Sequence, residues 1–268
     1  MELAKLFDGE VICADSRTIY TQADIGTAKP SPADQKAVRH HMLDLIEPSE
    51  YYSAARFKTT ALQVIENVQN TNKLPILVGG SGLYIDSVLF DYEFLPPASP
   101  AVRSRLQQLS VEQLQAELKA KGLALPSNQR NPVHLIRAIE TNGAVPHKSA
   151  MRPDAHVFGL LIDKPNLEQR VQNRTDQMLA AGLLAETIKL AKSYGWDAPG
   201  LQAPAYKALH EHIDGPASLP QARQSFIEND LALAKRQKTW FKRNLLIQWH
   251  VNGGEIVDSV TTLLNKSL

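Results

Sequence analysis

Cysteine is almost missing from this chain: only Cys13 is present. A lone cysteine cannot close an internal disulfide, and inside Val11-Ile12-Cys13-Ala14 it reads as a buried strand thiol. Long apolar runs are missing too, since nothing approaches the ~20 residues that a membrane span needs. The first residues carry Glu2, Lys5, Asp8 and Glu10 with no apolar stretch between them, unlike a secretory signal. Net charge is only +1, so no whole-molecule field draws in a polyanion, and any nucleic-acid surface has to be a local patch. Repeats and low-complexity tracts do not occur. These features suit a soluble, reduced, cytoplasmic protein. With 268 residues, 43% of them hydrophobic and 21% charged, the chain can build one or two domains with a true core.

Strand and helix patterns alternate along the chain. Residues 1–7 read as a helix closed by Gly9, and 10–14 as a short strand ending at Asp15 and Ser16. Ser53 is placed to cap a helix with Phe57, Ala61, Leu62, Ile65 and Val68 at helical spacing. Leu74-Pro75-Ile76-Leu77-Val78 reads as a parallel strand covered on both faces, with Pro75 tolerated near its start. It runs into Gly79-Gly80-Ser81-Gly82 and a further helix, an order that argues for an α/β domain. The character changes at 95–100, Leu-Pro-Pro-Ala-Ser-Pro. Ser99 with Pro100 starts a helix whose Val102, Leu106 and Leu109 share a face. Ser110 to Gln113 forms a capping-box pattern, with Gly122 ending that helix. Asn131 with Pro132 starts a third, running to Gly143. Residues 96–150 therefore read as a small all-helical insertion in an α/β core of 1–95 and 151–268. A strand at 156–162 is expected to rejoin the sheet, and Pro165 to start a long helix carrying Leu167, Val171, Met178 and Leu179. A last helix ends in Ala-Lys-Arg-Gln-Lys-Thr-Trp-Phe-Lys-Arg-Asn (234–244), before one more strand.

Three stretches have the composition for chemistry. Asp15 stands just past a strand, where open α/β sheets bind ligands; it suits a general base, a metal ligand or a turn-capping aspartate. The strand–glycine–hydroxyl–helix order of 76–84 can aim backbone N–H groups at phosphate oxygens, yet a tight turn needs glycine with no ligand at all. On the last helix Lys235, Lys238 and Lys242 share one face, while Arg236, Trp240 and Arg243 share another. Those faces could grip phosphates, or form a solvated basic helix end.

Together these stretches resemble the tRNA dimethylallyltransferase (isopentenyl-tRNA transferase) family. The carrying residues are Asp15-Ser16-Arg17-Thr18-Ile19-Tyr20, Asp24-Ile25-Gly26-Thr27-Ala28-Lys29-Pro30, and His41 with Asp44 and Pro48. Tyr52-Ser53-Ala54, Leu77-Val78-Gly79-Gly80-Ser81-Gly82-Leu83-Tyr84 and Leu135-Ile136-Arg137-Ala138-Ile139-Glu140 follow. Arg174, Met178, Gly182-Leu183, Lys235-Arg236-Gln237 and Thr239-Trp240-Phe241 complete the set. The resemblance implies a P-loop-NTPase-like, nucleotide-binding type of parallel sheet flanked by helices. It implies transfer of a dimethylallyl group from its diphosphate to N6 of the adenosine next to the tRNA anticodon, with Mg²⁺ as cofactor. By resemblance the catalytic residues are Asp15, the base that takes the amine proton, and Ser81, which stands where relatives usually have Thr and keeps the hydroxyl expected near the reacting adenine. Expected tRNA contacts are Asp15, Ser16, Arg17, Thr18, Ser81, Arg103, Val133, His134, Leu135, Ile136 and Arg137. Expected diphosphate contacts are Gly80, Ser81, Lys235 and Arg236. The helical insertion would hold the anticodon stem-loop, and a monomer is expected.

The chain departs from that pattern in places. Thr18 stands for a common Gln and His134 for an Arg, both shorter, and Asp230-Leu231 stands where relatives often have Thr-Arg. No Gly is followed by Lys, so the phosphate loop of the form G-x-x-x-x-G-K-[ST] expected before Met1 does not occur, and neither does its Mg²⁺ ligand. On this reading Met1-Glu2-Leu3-Ala4-Lys5-Leu6-Phe7 is the end of that loop's helix, a strand is missing from mid-sheet, and 1–268 is a shortened form with impaired transfer. Rival readings are an adenylate isopentenyltransferase acting on AMP-type acceptors, a small-molecule P-loop kinase, and a non-catalytic RNA-binding remnant.

Overall fold

The computed structural model describes residues 1–96 and 98–265. The chain divides into two compact units, one of Met1–Leu89 with Pro153–Leu268, the other of Phe90–Arg152. The junction read at 95–100 includes Pro97, which lies outside the described residues.

The larger unit opens on helix α1 (Glu2–Leu6), followed by strand β1 (Gly9–Cys13). Asp8, with φ of 46°, makes the turn, so Gly9 is not the helix stop but the first strand residue. All of β1 is buried, as the Val-Ile-Cys run requires. Helix α2 (Pro32–Ala37), set by a capping box at Ser31, leads to the two-residue strand β2 (His40–His41). Helix α3 (Ala54–Asn70) starts at the Ser53 cap and buries Phe57, Ala61 and Val68. Strand β3 (Leu74–Val78) follows, then helix α4 (Gly82–Leu89). The Tyr84 ring of α4 stacks on Phe57, with centroids 4.1 Å apart. The strands are parallel in the order β2-β1-β3, with Cys13 opposite Val78, so both ends point toward the same place. The sequence suggests a covered β3. In fact β3 is an edge strand among the described residues: its residues are only partly buried, and Val78 is 50% exposed.

The smaller unit is a three-helix cluster: α5 (Pro100–Gln107), α6 (Val111–Ala120) and α7 (Pro132–Glu140). Ser99, Ser110 and Asn131 cap them as their positions suggest. Leu106, Leu114, Leu118, Leu135, Ile136 and Ile139 form the core. Val102, expected to share the apolar face with Leu106, is exposed. Helix α7 stops at Glu140 instead of running to Gly143.

The chain then returns to the larger unit through β4 (Phe158–Leu160), α8 (Lys164–Ala180) and α9 (Leu183–Tyr194). A single 3-10 turn at Pro199–Gln202 precedes α10 (Pro204–Ile213) and the long α11 (Leu219–Phe241). Strand β5 (Gln248–His250) and α12 (Gly253–Asn265) end the described chain. Strand β4 is shorter than its apolar run, and it does not rejoin β1–β3. It pairs in parallel with β5 as a separate two-stranded sheet. The Trp249 ring packs where a Cβ on Gly159 would stand, and this close fit ties β4 to β5. No helix among the described residues is long and apolar enough to cross a membrane.

Candidate catalytic and RNA-binding residues

The parallel register of β1 and β3 brings the stretch after Cys13 beside the stretch after Val78. The Ser81 N–H donates to the Ala14 carbonyl at 3.2 Å, and the Ser16 N–H donates to the Ser81 hydroxyl at 2.9 Å. Asp15 and Ser81 therefore belong to one small cluster, although 65 residues separate Ser16 from Ser81. Close approach explains the glycine run. A Cβ on Gly79 would strike the Ala14 carbonyl, one on Gly80 the Gln237 amide, and one on Gly82 the Trp240 ring. None of these three glycines has a positive φ, so their role is space, not unusual backbone.

The Asp15 carboxyl accepts the Arg17 N–H at 2.7 Å. Burial pushes this carboxyl above the ordinary aspartate range, and the N–H bonds of Arg17 and Thr18, with the charges of Arg17 and Arg174, only partly offset it. Burial, with the Asp15 charge, also raises the Cys13 thiol to about 11, which fits an inert strand thiol rather than a nucleophile. Arg17 donates from Nη1 to the Pro199 carbonyl at 3.1 Å, an anchor across the loop. Thr18 is buried and its hydroxyl has no partner among the described residues.

The basic end of α11 reaches the same cluster. Gln237 lies against Gly80, and Trp240, against Gly82, donates its indole N–H to Asp86 at 2.9 Å. Arg236 is one helical turn from Trp240, and Lys235 is its neighbour; both are exposed. Asp230, three turns from the helix end, is buried and accepts from Arg174 at 2.5 Å. The acid that replaces a common Thr is thus consumed by Arg174, and Leu231 supplies no cation.

The Asp24–Pro30 motif folds as a clasped loop. The Glu186 carboxylate of α9 accepts the N–H groups of Asp24 at 3.0 Å, Ile25 at 2.8 Å and Gly26 at 2.8 Å, and the Tyr206 hydroxyl at 2.8 Å. Lys29 donates to the Tyr20 carbonyl and bridges Asp24 and Asp44 at 2.5 Å each. Sequence reading did not single out Glu186, because no local pattern tells which helix residue will meet a loop 160 positions away.

In the smaller unit Val133 and His134 are exposed on α7, whereas Leu135 and Ile136 are core residues whose side chains are spent on packing. An RNA contact by those two side chains is not available on this surface. Arg103 and Arg137 both bind Glu140, at 3.0 Å and 3.3 Å.

A family model described as IPP transferase matches residues 18–244. A tRNA dimethylallyltransferase of Bacillus velezensis is 36% identical over 263 residues, covering 92% of this chain and 84% of that protein. The crystal structure of a tRNA delta(2)-isopentenylpyrophosphate transferase from Staphylococcus epidermidis superposes with a TM-score of 0.74 at 30% identity, covering all of this chain and 94% of the other. A full-length tRNA isopentenylpyrophosphate transferase from Bacillus halodurans gives 0.75 at 29% identity, covering 99% and 90%.

Proposed function

The chain belongs to the IPP transferase family, and we infer from this that it is a tRNA prenyltransferase. It moves a dimethylallyl group from dimethylallyl diphosphate to N6 of the adenosine beside the anticodon. The observation that carries the reading is the meeting of the Asp15 and Ser81 loops at the ends of two parallel strands, within a chain whose relatives bear that name.

The chemistry needs few parts. The exocyclic amine is a weak nucleophile because its lone pair is delocalised into the ring. As N6 bonds to the terminal carbon of the prenyl group, the carbon–oxygen bond to diphosphate breaks and the diphosphate keeps the electron pair. Asp15 accepts the amine proton, and burial makes it a better proton acceptor than an ordinary aspartate. Lys235 and Arg236 meet the charge on the departing oxygens. Mg²⁺ carried by the diphosphate would supply counter-charge to its oxygens. Among the described residues no group of three or more His, Cys, Asp or Glu gathers to hold a metal, and Mg²⁺ on phosphates needs few protein ligands. The adenine leaves its stack to react, at less cost in a loop than in a duplex. Arg103, Val133 and His134 supply the surface for the anticodon stem-loop. The protein works as a monomer in the cytoplasm.

The test is transfer of a labelled prenyl group to an anticodon stem-loop, with AMP as the competing acceptor. Product on the RNA, however slow, and none on AMP is expected. Product on AMP alone assigns the chain to the adenylate class. RNA binding with no product leaves only the RNA-binding reading.

A further inference from the structure

The Glu140 side chain is completely shielded from solvent, a costly place for a carboxylate unless cations meet it. Two arginines do, and they do so differently. Arg137 spends both terminal nitrogens inside the protein. Its Nη1 donates to Glu140 and to the Pro96 carbonyl, at 3.3 Å each, and its Nη2 donates to the Leu95 carbonyl at 2.7 Å. Arg103 donates from Nη1 alone, reaching both Glu140 oxygens at 3.0 and 3.1 Å. Its Nε and Nη2 donate to no group among the described residues, and its side chain is 38% exposed. Those two nitrogens form the side edge of the guanidinium, the edge whose parallel N–H bonds fit a carboxylate or phosphate. Arg223 uses that edge on Asp176, with Nε at 2.6 Å and Nη2 at 2.9 Å. The neighbouring Arg105 shows the contrast, with both terminal nitrogens closed on Glu117 at 2.9 and 2.8 Å.

We propose that Glu140 is a positioning residue for nucleic-acid contact: it grips Arg103 by one nitrogen and presents the free side edge of that guanidinium to an RNA phosphate. This rests on the reading of the chain as a tRNA-binding enzyme. The buried carboxylate removes the rotamer freedom that a long exposed arginine would otherwise lose on binding, so the fork is set before the RNA arrives. Arg137 takes the other role at this carboxylate. It braces the Leu95–Pro96 backbone and holds the Glu140 side chain in place.

The test measures binding of an unmodified anticodon stem-loop RNA to the full chain across a range of salt, for the unaltered protein, R103Q, E140Q and the R103Q/E140Q double variant. Loss of roughly tenfold in affinity is expected for each single variant. The slope of log affinity against log salt should fall by about 0.7–0.9 in each, the signature of one lost phosphate contact. The double variant should lose no more than R103Q alone. A structural role for Glu140 would not change the salt slope. An E140Q protein that binds with an unaltered slope, or a double variant whose losses add, overturns the proposal. Should E140Q fail to fold, R103K decides, since it keeps the charge beside Glu140 and loses the fork; binding at full strength and slope would overturn the proposal. An unaltered chain that binds no RNA at any salt overturns both this inference and the functional reading beneath it, whereas the other failures leave that reading standing.

Discussion

At the scale of single residues, burial and charge decide what the acids do. Asp15 and Glu10 sit at opposite ends of β1, and their carboxyls are shifted in opposite directions. Burial raises Asp15, so the folded protein holds that proton more tightly than the unfolded chain. Its ionisation therefore costs stability as pH rises from the unfolded value through the folded one. Asp15→Asn should lower transfer by about 10²–10⁴-fold and remove the acidic limb of the pH–rate profile. The same variant should melt no lower than the parent at neutral pH, which a thermal scan checks. Glu10 shows the opposite balance. Burial works to raise its carboxyl, but hydrogen bonds from His41 at 2.6 Å and Lys73 at 2.9 Å outweigh it and hold the group below its usual range. Its contribution is complete above the unfolded pKa and lost as pH falls through the folded one. Glu10→Gln should cost about 1–3 kcal/mol at neutral pH. The gap to wild type in urea denaturation should close in acid, below about pH 4.

At the scale of elements, the Asp24–Pro30 loop illustrates how far a motif can be read. Its residues are distinctive, yet their partners lie on α9 and α10, which no local pattern announces. Glu186 replaces water at three successive backbone N–H groups, and the Tyr206 ring fills the space that a Cβ on Gly26 would need. Burial, with the Glu186 charge and bond behind it, pushes the Tyr206 hydroxyl far above its ordinary range, so it stays protonated and donates to Glu186. Glu186→Gln should therefore destabilise by about 1.5–3 kcal/mol. Hydrogen exchange at Asp24, Ile25 and Gly26 should accelerate, while amides in Phe90–Arg152 keep their protection. Capped helices were far more legible. Ser53, Ser99, Ser110 and Asn131 each stand where their side chains accept the first free N–H groups, because a cap is settled within four residues.

At the scale of the whole molecule, two separate apolar clusters hold the two units, a large one around Ile12, Phe57 and Tyr206 and a small one around Leu106, Leu118 and Leu135. The small cluster has six buried members, so each carries a large share of that unit's stability. Leu118→Ala should cost about 2–5 kcal/mol. Hydrogen exchange should show the loss across Phe90–Arg152 first, with α3 and α10 protected as before.

Sequence alone settled the parts whose causes are local. The α/β class followed from apolar runs between capped helices. The helical insertion followed from its Ser-Pro and Asn-Pro starts. The family followed from a set of short motifs in order. Tertiary structure decided what depends on distant partners: that β4 pairs with β5 apart from the larger sheet, that β3 is an edge, that Leu135 and Ile136 pack inward, and that Glu140 and Glu186 each gather several donors. Caps and turns satisfy hydrogen bonds within a few residues, so composition exposes them. A buried carboxylate needs donors from far along the chain, and only the folded backbone brings those together.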